Sequence, residues 1–364
     1  MYHNPVEVFE TDNWQEECHI IQEKIKIYKP LVVTSNGNLI RHNLDSVFNS
    51  ESIISDIDPD PTFASCQAMI NLIDSSKYDG VIAIGGGSVM DTAKVALAYM
   101  RTGNCDLAEL LTITELYENR VPSIFIPTTH GTGGEVTMWG TIWDMVEKKK
   151  YSISHPDLYP TATILDGNLT LSLPLDISII TVMDALSHSF EAIWNKNANA
   201  TSTSYAIQAI SLIINNVRDL MQNTNNLKIR TNLLIAANKA GLAFSNTKTA
   251  AAHSISYPLT IYYGIKHGIA ASISLPWLLE INKLEIEEEL NIIYNKLNLK
   301  DFSELQEILI ELVMQNGKNR LRKFGVDKHD LNWLVNQSNT KGRMENNIVD
   351  LTNLDIMEIL KKIY

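Results

Sequence analysis

Residues 83–94 constrain this chain more than any other stretch. Ala83-Ile84-Gly85-Gly86-Gly87-Ser88-Val89-Met90-Asp91-Thr92-Ala93-Lys94 runs from a buried-strand pattern through three glycines into an amphipathic helix. Glycine permits positive φ and a close approach of backbone to a ligand. A helix start offers unpaired N–H groups and the positive end of the helix dipole. Together they form a cradle for a phosphate or pyrophosphate. A tight βα turn with Ser88 as N-cap explains one or two glycines; three in a row favour the cradle. The spacing is neither G-x-G-x-x-G nor that of the P-loop. A second polar loop, Pro127-Thr128-Thr129-His130-Gly131-Thr132-Gly133-Gly134-Glu135-Val136-Thr137, follows another short apolar run. In a parallel sheet, loops at the carboxyl ends of strands share one edge, so the two loops can face the same ligand.

The rest of the chain divides into two kinds of pattern. Up to about residue 168, short apolar runs alternate with helical stretches. Leu31–Thr34, Ser52–Ile57, Gly80–Ile84 and Ser123–Ile126 read as strands, and Thr62 is placed to cap a helix reaching about Ser75. Strands alternating with helices imply parallel βαβ units. After Thr170 the spacing turns helical over 176–194, 202–221, 228–244, 285–297 and 304–324. The fold expected is an α/β domain with a parallel sheet (1–168), then an all-α domain (169–364). A cleft between two such domains is a common ligand site.

Composition narrows the function. The 364 residues carry 30 Lys and Arg against 42 Asp and Glu, a net charge of −12. Nucleic acid and anionic membranes are poor partners for such a chain; a small molecule is the better expectation. Cys18, Cys66 and Cys105 are odd in number and form no C-x-x-C pair, which fits a reducing compartment. The first 17 residues hold Glu7, Glu10, Asp12, Glu16 and Glu17 and no apolar run, so no signal peptide is expected. No stretch approaches the roughly 18 apolar residues of a membrane span. A cytoplasmic protein is the expectation, with a homodimer as the base-rate assembly.

The helical half holds four residues of metal-ligand type. Asp184 and His188 stand at i and i+4, on one helix face. His253 lies in the apolar stretch Ala251-Ala252-His253, and His267 follows fourteen residues later before Gly268. One carboxylate and three imidazoles can hold a divalent metal and leave a position for a water or substrate oxygen. Each piece also has a plain reading. A lone histidine on an apolar helix is more often a hydrogen-bonded core residue, and Asp-x-x-x-His is often a surface ion pair. Met183, Ala185, Leu186 and Phe190 argue for burial, where both groups would need partners. His130 and His155, in loops, remain candidate substrate contacts.

Taken in order, these motifs resemble the iron-containing (group III) alcohol dehydrogenases over essentially the whole chain. The resemblance rests on Gly85–Ser88 with Asp91 and Lys94, and on Pro127–Thr129 through Glu135–Thr137. It continues through Asp184–His188 and Phe244-Ser245-Asn246 to His253 and His267-Gly268. It implies a dinucleotide-binding N-terminal domain, a helical C-terminal domain, bound NAD(P)H, and Fe²⁺ or another divalent metal such as Zn²⁺. Asp184, His188, His253 and His267 would be the metal ligands, with His267 also a candidate catalytic proton relay. Ser35, Gly85, Gly86, Gly87, Ser88, Asp91, Thr128, Thr129, Thr132 and Thr137 would contact the cofactor. Two positions depart from the family pattern. Ser35 stands where NAD-preferring members often carry Asp; its lack of charge removes a repulsion against a 2′-phosphate and makes NADPH use plausible. His130 stands where the family loop usually has Ala.

A narrower resemblance is to the phosphonoacetaldehyde reductase branch. It is carried by 243–249, 253–260, Trp139–Trp143, Lys150–Ser152, Leu158–Pro160 and 342–347. It implies reduction of phosphonoacetaldehyde to 2-hydroxyethylphosphonate. Lys248 would then meet the phosphonate, with Trp139 and Phe244 as pocket walls; a solvated lysine and ordinary core packing are the plain alternatives. The rivals are a broad aldehyde reductase or diol dehydrogenase of the same family, and a non-oxidative metal-dependent lyase or cyclase on the same scaffold.

Overall fold

The computed structural model describes residues 1–103, 105–113, 121–144 and 149–364. The strands are β1 (Glu7–Glu10), β2 (Pro30–Thr34), β3 (Ile53–Ile54), β4 (Gly80–Gly85), β5 (Ser123–Pro127), β6 (Trp139–Asp144), β7 (Lys149–Ser154) and β8 (Ala162–Leu165). Six of them form one parallel sheet in the order β1-β8-β5-β4-β2-β3; β6 and β7 pair as a separate antiparallel hairpin. The α/β helices are α1 (Trp14–Ile25), α2 (Asn36–Arg41), α3 (Phe63–Ile70), α4 (Gly87–Thr102) and α5 (Leu107–Leu110). The helical part comprises α6 (Leu175–Ile193), α7 (Ala200–Gln222), α8 (Leu227–Thr247), α9 (Ala251–Tyr263), α10 (His267–Ser272), α11 (Leu275–Asn282), α12 (Glu287–Leu297), α13 (Phe302–Met314), α14 (Leu331–Gln337) and α15 (Asn353–Ile363). Two compact units result: residues 4–173 with 225–234, and residues 1–3, 174–224 and 235–364.

The central strands read as unbroken apolar runs because both faces of the sheet are covered. Leu31, Val33, Val81, Ala83 and Phe125 face α3, α4 and the hairpin residues Ile142 and Ile153. Their alternates Val32, Ile82, Ile84, Ile124 and Ile126 face Trp14, Cys18 and Ile21 of α1. The sheet and the helical part follow the sequence expectation, with local differences. The strand expected over 52–57 shrinks to Ile53–Ile54, the two residues that pair with β2, because Ser52 closes a short 3₁₀ turn over Ser50–Ser52. The Thr62 cap is present, boxed with Ser65, but its helix ends at Ile70. The helix expected over 304–324 stops at Met314, where Gln315 turns left-handed at φ 42°. The sequence reading did not anticipate β1, β8 or the hairpin. No described helix is long and apolar enough to cross a membrane.

The register fixes what shares the carboxyl edge. Thr34 lies opposite Ile84 and Gly85 opposite Pro127. The loops after β2, β4 and β5 therefore leave side by side, as expected for the two glycine-rich loops. The strand order reverses between β2 and β4, and ligands of open α/β sheets bind at such a point.

Candidate active site

The glycine turn is built by close approach, not by left-handed backbone. None of Gly85, Gly86 and Gly87 has positive φ. A Cβ on Gly85 would sit 2.5 Å from Val89 Cγ2, one on Gly86 2.8 Å from Thr129 Cγ2, and one on Gly87 2.5 Å from Thr132 Cγ2. Gly86 occupies the N-cap of α4, leaving that end without a side-chain cap. Ser88, the cap only in the plain-turn alternative, does not cap the helix and accepts the Asp60 N–H through Oγ at 3.1 Å. Open N–H groups at the start of a sixteen-residue helix suit an anion.

The second loop is fastened to this turn. Thr128 N–H donates to the Gly85 carbonyl at 3.0 Å, and Thr128 Oγ1 donates to Asn38 Oδ1 at 3.5 Å. Lys94 is fully buried and donates to Thr137 Oγ1 at 2.9 Å and to the Trp139 carbonyl at 2.7 Å. Burial lowers its pKa to about 8, with Asp91 and Glu135 opposing the shift. Burial likewise raises the Asp91 carboxyl to about 6 against the pull of Lys94. The buried Thr137 hydroxyl thus holds Lys94 and donates to the Gly134 carbonyl at 3.4 Å. Ser35 caps α2 through the Asn38 N–H at 3.3 Å. His130 is fully buried, with the Arg230 backbone as the polar group nearest its ring. His155 is buried too, and its Nδ1 accepts the Asp157 N–H at 3.1 Å.

In the helical unit, four side chains converge. Asp184 and His188 project from α6, His253 from the first turn of α9, and His267 from the first residue of α10. Ligand atoms of Asp184, His188 and His253 lie within 4.8 Å of one another. Asp184 Oδ1 is 3.6 Å from His253 Nε2 and 3.7 Å from His267 Nε2. The His188 ring stacks on His253 with centroids 4.6 Å apart, and on Phe244 at 4.1 Å. Asp184, His188 and His253 are buried, whereas the His267 side chain is 31% exposed. His267 therefore forms the open side. Its position has a steric cause: a Cβ on Gly268 would lie 2.0 Å from the Ile180 carbonyl, one turn before Asp184. Ser187 Oγ, donating to the Ala271 carbonyl at 2.9 Å, ties α10 to α6 again.

Sequence reasoning missed Glu191. It lies seven residues after Asp184 on the same face of α6 and is fully buried. Its carboxylate accepts His253 Nδ1–H at 2.5 Å and the His253 backbone N–H at 3.1 Å. The His253 ring is thereby turned so that Nε2 faces Asp184. The signal was available as a charged residue in the apolar run Ser189-Phe190-Glu191-Ala192-Ile193.

The electrostatics keep both carboxylates of the cluster ionised. Burial alone would raise the Asp184 carboxyl, but His188, His267 and His253 hold it well below the carboxylate range. Burial would raise Glu191 as well, and His253 pulls it down. Burial would lower His253, but Glu191 and Asp184 raise it to about 10. Asp184 Oδ1 and His253 Nε2 face each other with no hydrogen-bond partner among the described residues. Buried polar atoms are ordinarily satisfied, and a divalent ion between these atoms would satisfy both. Three imidazoles and one carboxylate are the donor chemistry of Fe²⁺ or Zn²⁺. Of the suggested substrate contacts, Phe244 joins this cluster. Lys248 is exposed, left-handed at φ 64°, at the end of α8. Trp139 belongs to the α/β unit, half-buried on β6.

Comparison with known proteins agrees with this architecture. The model of the iron-containing alcohol dehydrogenase family matches residues 7–167, and that of its C-terminal domain matches residues 178–364. The chain belongs to the iron-containing alcohol dehydrogenase family. The probable alcohol dehydrogenase EutG of Escherichia coli is 34% identical over 254 residues, 69% of this chain and 64% of that protein. Long-chain-alcohol dehydrogenase 1 of Geobacillus thermodenitrificans is 32% identical over 251 residues, 68% of this chain and 63% of that protein. The match thus spans a little under two-thirds of these relatives' length. The crystal structure of sulfoacetaldehyde reductase from Bifidobacterium kashiwanohense in complex with NAD+ superposes with a TM-score of 0.90 at 26% identity, covering 100% of this chain and 98% of that one.

Proposed function

We propose that this protein is a metal-dependent, NAD(P)H-linked aldehyde reductase that converts phosphonoacetaldehyde to 2-hydroxyethylphosphonate. The observation that carries the chemistry is the buried convergence of Asp184, His188 and His253, closed on its exposed side by His267. Support for an anionic aldehyde comes from the relative named sulfoacetaldehyde reductase, because sulfonate and phosphonate on a two-carbon aldehyde have similar shape. Lys248 is our candidate for the phosphonate, and Phe244 and Trp139 for the pocket walls.

The four ligand-type residues would hold the metal, which when bound supplies Lewis-acid polarisation of a carbonyl. Asp184 contributes the negative charge that draws a cation into a buried site. Glu191 holds the His253 ring with Nε2 turned inward. The turn at Gly85–Gly87, with Ser88 and Asp91, would seat the dinucleotide, Ser35 would face its ribose, and Thr128, Thr129, Thr132 and Thr137 would wall the same edge. A dinucleotide bound there in its reduced form would supply the hydride for a carbonyl carbon, and the carbonyl oxygen would need a proton from the protein. His267, the most exposed of the four, is the proposed route for that proton.

The test is oxidation of NADPH and NADH by metal-reconstituted protein with phosphonoacetaldehyde and, in parallel, propionaldehyde. Strong preference for the phosphonate is the expected result. Lys248→Met should then raise KM for the phosphonate about 10-fold or more and leave that for propionaldehyde unchanged. Equal turnover of the two aldehydes would replace this reading with a broad aldehyde reductase. Consumption of substrate without loss of cofactor absorbance would replace it with the non-oxidative alternative.

A further inference from the structure

We infer that the dinucleotide site is built for a 2′-phosphorylated cofactor, NADPH, and that the Arg41 guanidinium reads the 2′-phosphate. The inference rests on the nucleotide reading above and adds the residue that sets cofactor choice.

The geometry begins with the sheet. Thr34 is in register with Ile84, so Ser35 leaves β2 beside Gly85 at the start of the glycine turn. These two strand ends flank the point where the strand order reverses. A dinucleotide with its pyrophosphate on the glycine turn directs its adenosine ribose toward the end of the neighbouring strand, where NAD-binding folds place a carboxylate on the ribose hydroxyls. Here that position is Ser35, which is uncharged and has already committed its hydroxyl oxygen to the Asn38 N–H.

Arg41 then supplies the opposite charge. Its guanidinium folds back over the first turn of α2: a Cβ on Gly37 would lie 2.9 Å from one terminal nitrogen and 3.0 Å from the other. The head is fixed there by a bond to Asn38 Oδ1 at 3.1 Å. Asn38 is itself buried and tied to the sheet, its Nδ2 donating to the Ile84 carbonyl at 3.4 Å. One chain of contacts thus runs from the last residues of β4 through Asn38 to a guanidinium folded over the first turn of α2, the helix that Ser35 caps. Gly37 leaves the space that the guanidinium fills. Among the described residues no carboxylate pairs with Arg41, although Asp56 and Asp58 follow β3 nearby in sequence. An exposed, preoriented and unneutralised guanidinium next to a ribose site matches a phosphate, which arginine can grip with two N–H donors.

The decisive experiment is a binding measurement on the full chain, without turnover. Titration calorimetry would compare 2′,5′-ADP with 5′-AMP, and cofactor fluorescence would compare NADPH with NADH. The wild-type protein should favour the 2′-phosphorylated member of each pair by about 10- to 100-fold. Arg41→Ala should erase that preference while leaving 5′-AMP and NADH affinity within about twofold. Ser35→Asp should reverse the preference by restoring the repelling carboxylate. Equal affinity of the wild-type protein for both members of a pair would overturn the inference, as would an unchanged preference in Arg41→Ala. Failure to bind any of the four compounds would overturn the nucleotide reading itself, an outcome distinct from loss of preference. Arg41 is exposed, so an unchanged melting temperature is expected for its variant and separates a recognition defect from misfolding.

Discussion

At the glycine turn, contiguous residues bring their chemistry with them. At the imidazole cluster, ligand-type side chains arrive from three helices. The turn offers backbone N–H groups, and its three glycines are fixed by what lies against them: Val89, Thr129 and Thr132. The cluster offers side chains, and it needs support of another kind. Glu191 aims His253, and the contact between Gly268 and the Ile180 carbonyl brings His267 beside Asp184. A backbone site tolerates changes around it as long as the turn closes. A side-chain site depends on residues that never touch a substrate.

The sharpest test of this contrast is Asp184→Ala. It removes the carboxylate from the proposed ligand set and leaves the imidazoles alone. Metal content measured by atomic absorption should fall close to zero, and aldehyde reduction should drop about 1000-fold or more, the scale of losing several kcal/mol of transition-state stabilisation. NADPH binding by fluorescence should stay within about twofold of wild type, since the proposed dinucleotide turn belongs to the other unit. Loss of both together would show that the two regions are not independent.

Glu191→Gln probes the support alone. The amide keeps the shape and can still accept from His253 Nδ1 through Oε1, but it carries no charge. Metal affinity, read by competition with a chelator, should weaken about 10- to 100-fold. The visible spectrum of a Co²⁺-substituted protein should shift as the His253 donor weakens. An unchanged affinity and spectrum would reduce Glu191 to a packing residue.

The difference between the regions also explains what could be read from sequence. The glycine run, the hydroxyl-rich loop and the apolar strands are local patterns, and β2, β4 and β5 formed where those patterns lie. Asp184 and His188 were visible as an i, i+4 pair, and His253 and His267 stood out by residue type. Glu191 was passed over because a single carboxylate in an apolar helix has no spacing signature; only the fold shows that it meets His253. The reason for Gly268 is equally non-local, because the atom that excludes a side chain there belongs to Ile180 on another helix. The plain-turn alternative, with Ser88 as cap, is set aside for a similar reason: the Ser88 hydroxyl is engaged by the N–H of Asp60, far away in sequence. β1 was missed because it is largely exposed and begins and ends on glutamate, and β8 because Ala162 and Thr163 leave it only two large apolar residues.

The smallest expected effect concerns the wall of the glycine turn and is a matter of pH. His130 sits between Thr129 and Thr132, the two side chains packed against Gly86 and Gly87. Burial, reinforced by the nearby Arg230 charge and only partly opposed by a hydrogen bond with the Arg230 backbone, lowers its pKa from 6.5 to about 3. The folded protein therefore keeps this imidazole neutral, whereas the unfolded chain binds a proton below pH 6.5. The contribution to stability is fully present above pH 6.5 and is lost as pH falls toward about 3. At about 1.4 kcal/mol per pH unit, the loss amounts to about 2 kcal/mol at pH 5. Carboxylates titrate over the lower part of the same range, so the measurement is a difference. Urea unfolding of wild type and His130→Leu would be compared at pH 7 and pH 5. The variant cannot take up that proton, so its stability relative to wild type should rise by about 2 kcal/mol between the two pH values, even if packing makes it weaker at pH 7. Parallel pH profiles would mean that the hydrogen bond with the Arg230 backbone, together with water, keeps His130 able to take up a proton in the fold. The loop that walls the turn would then be wetter than the structure shows.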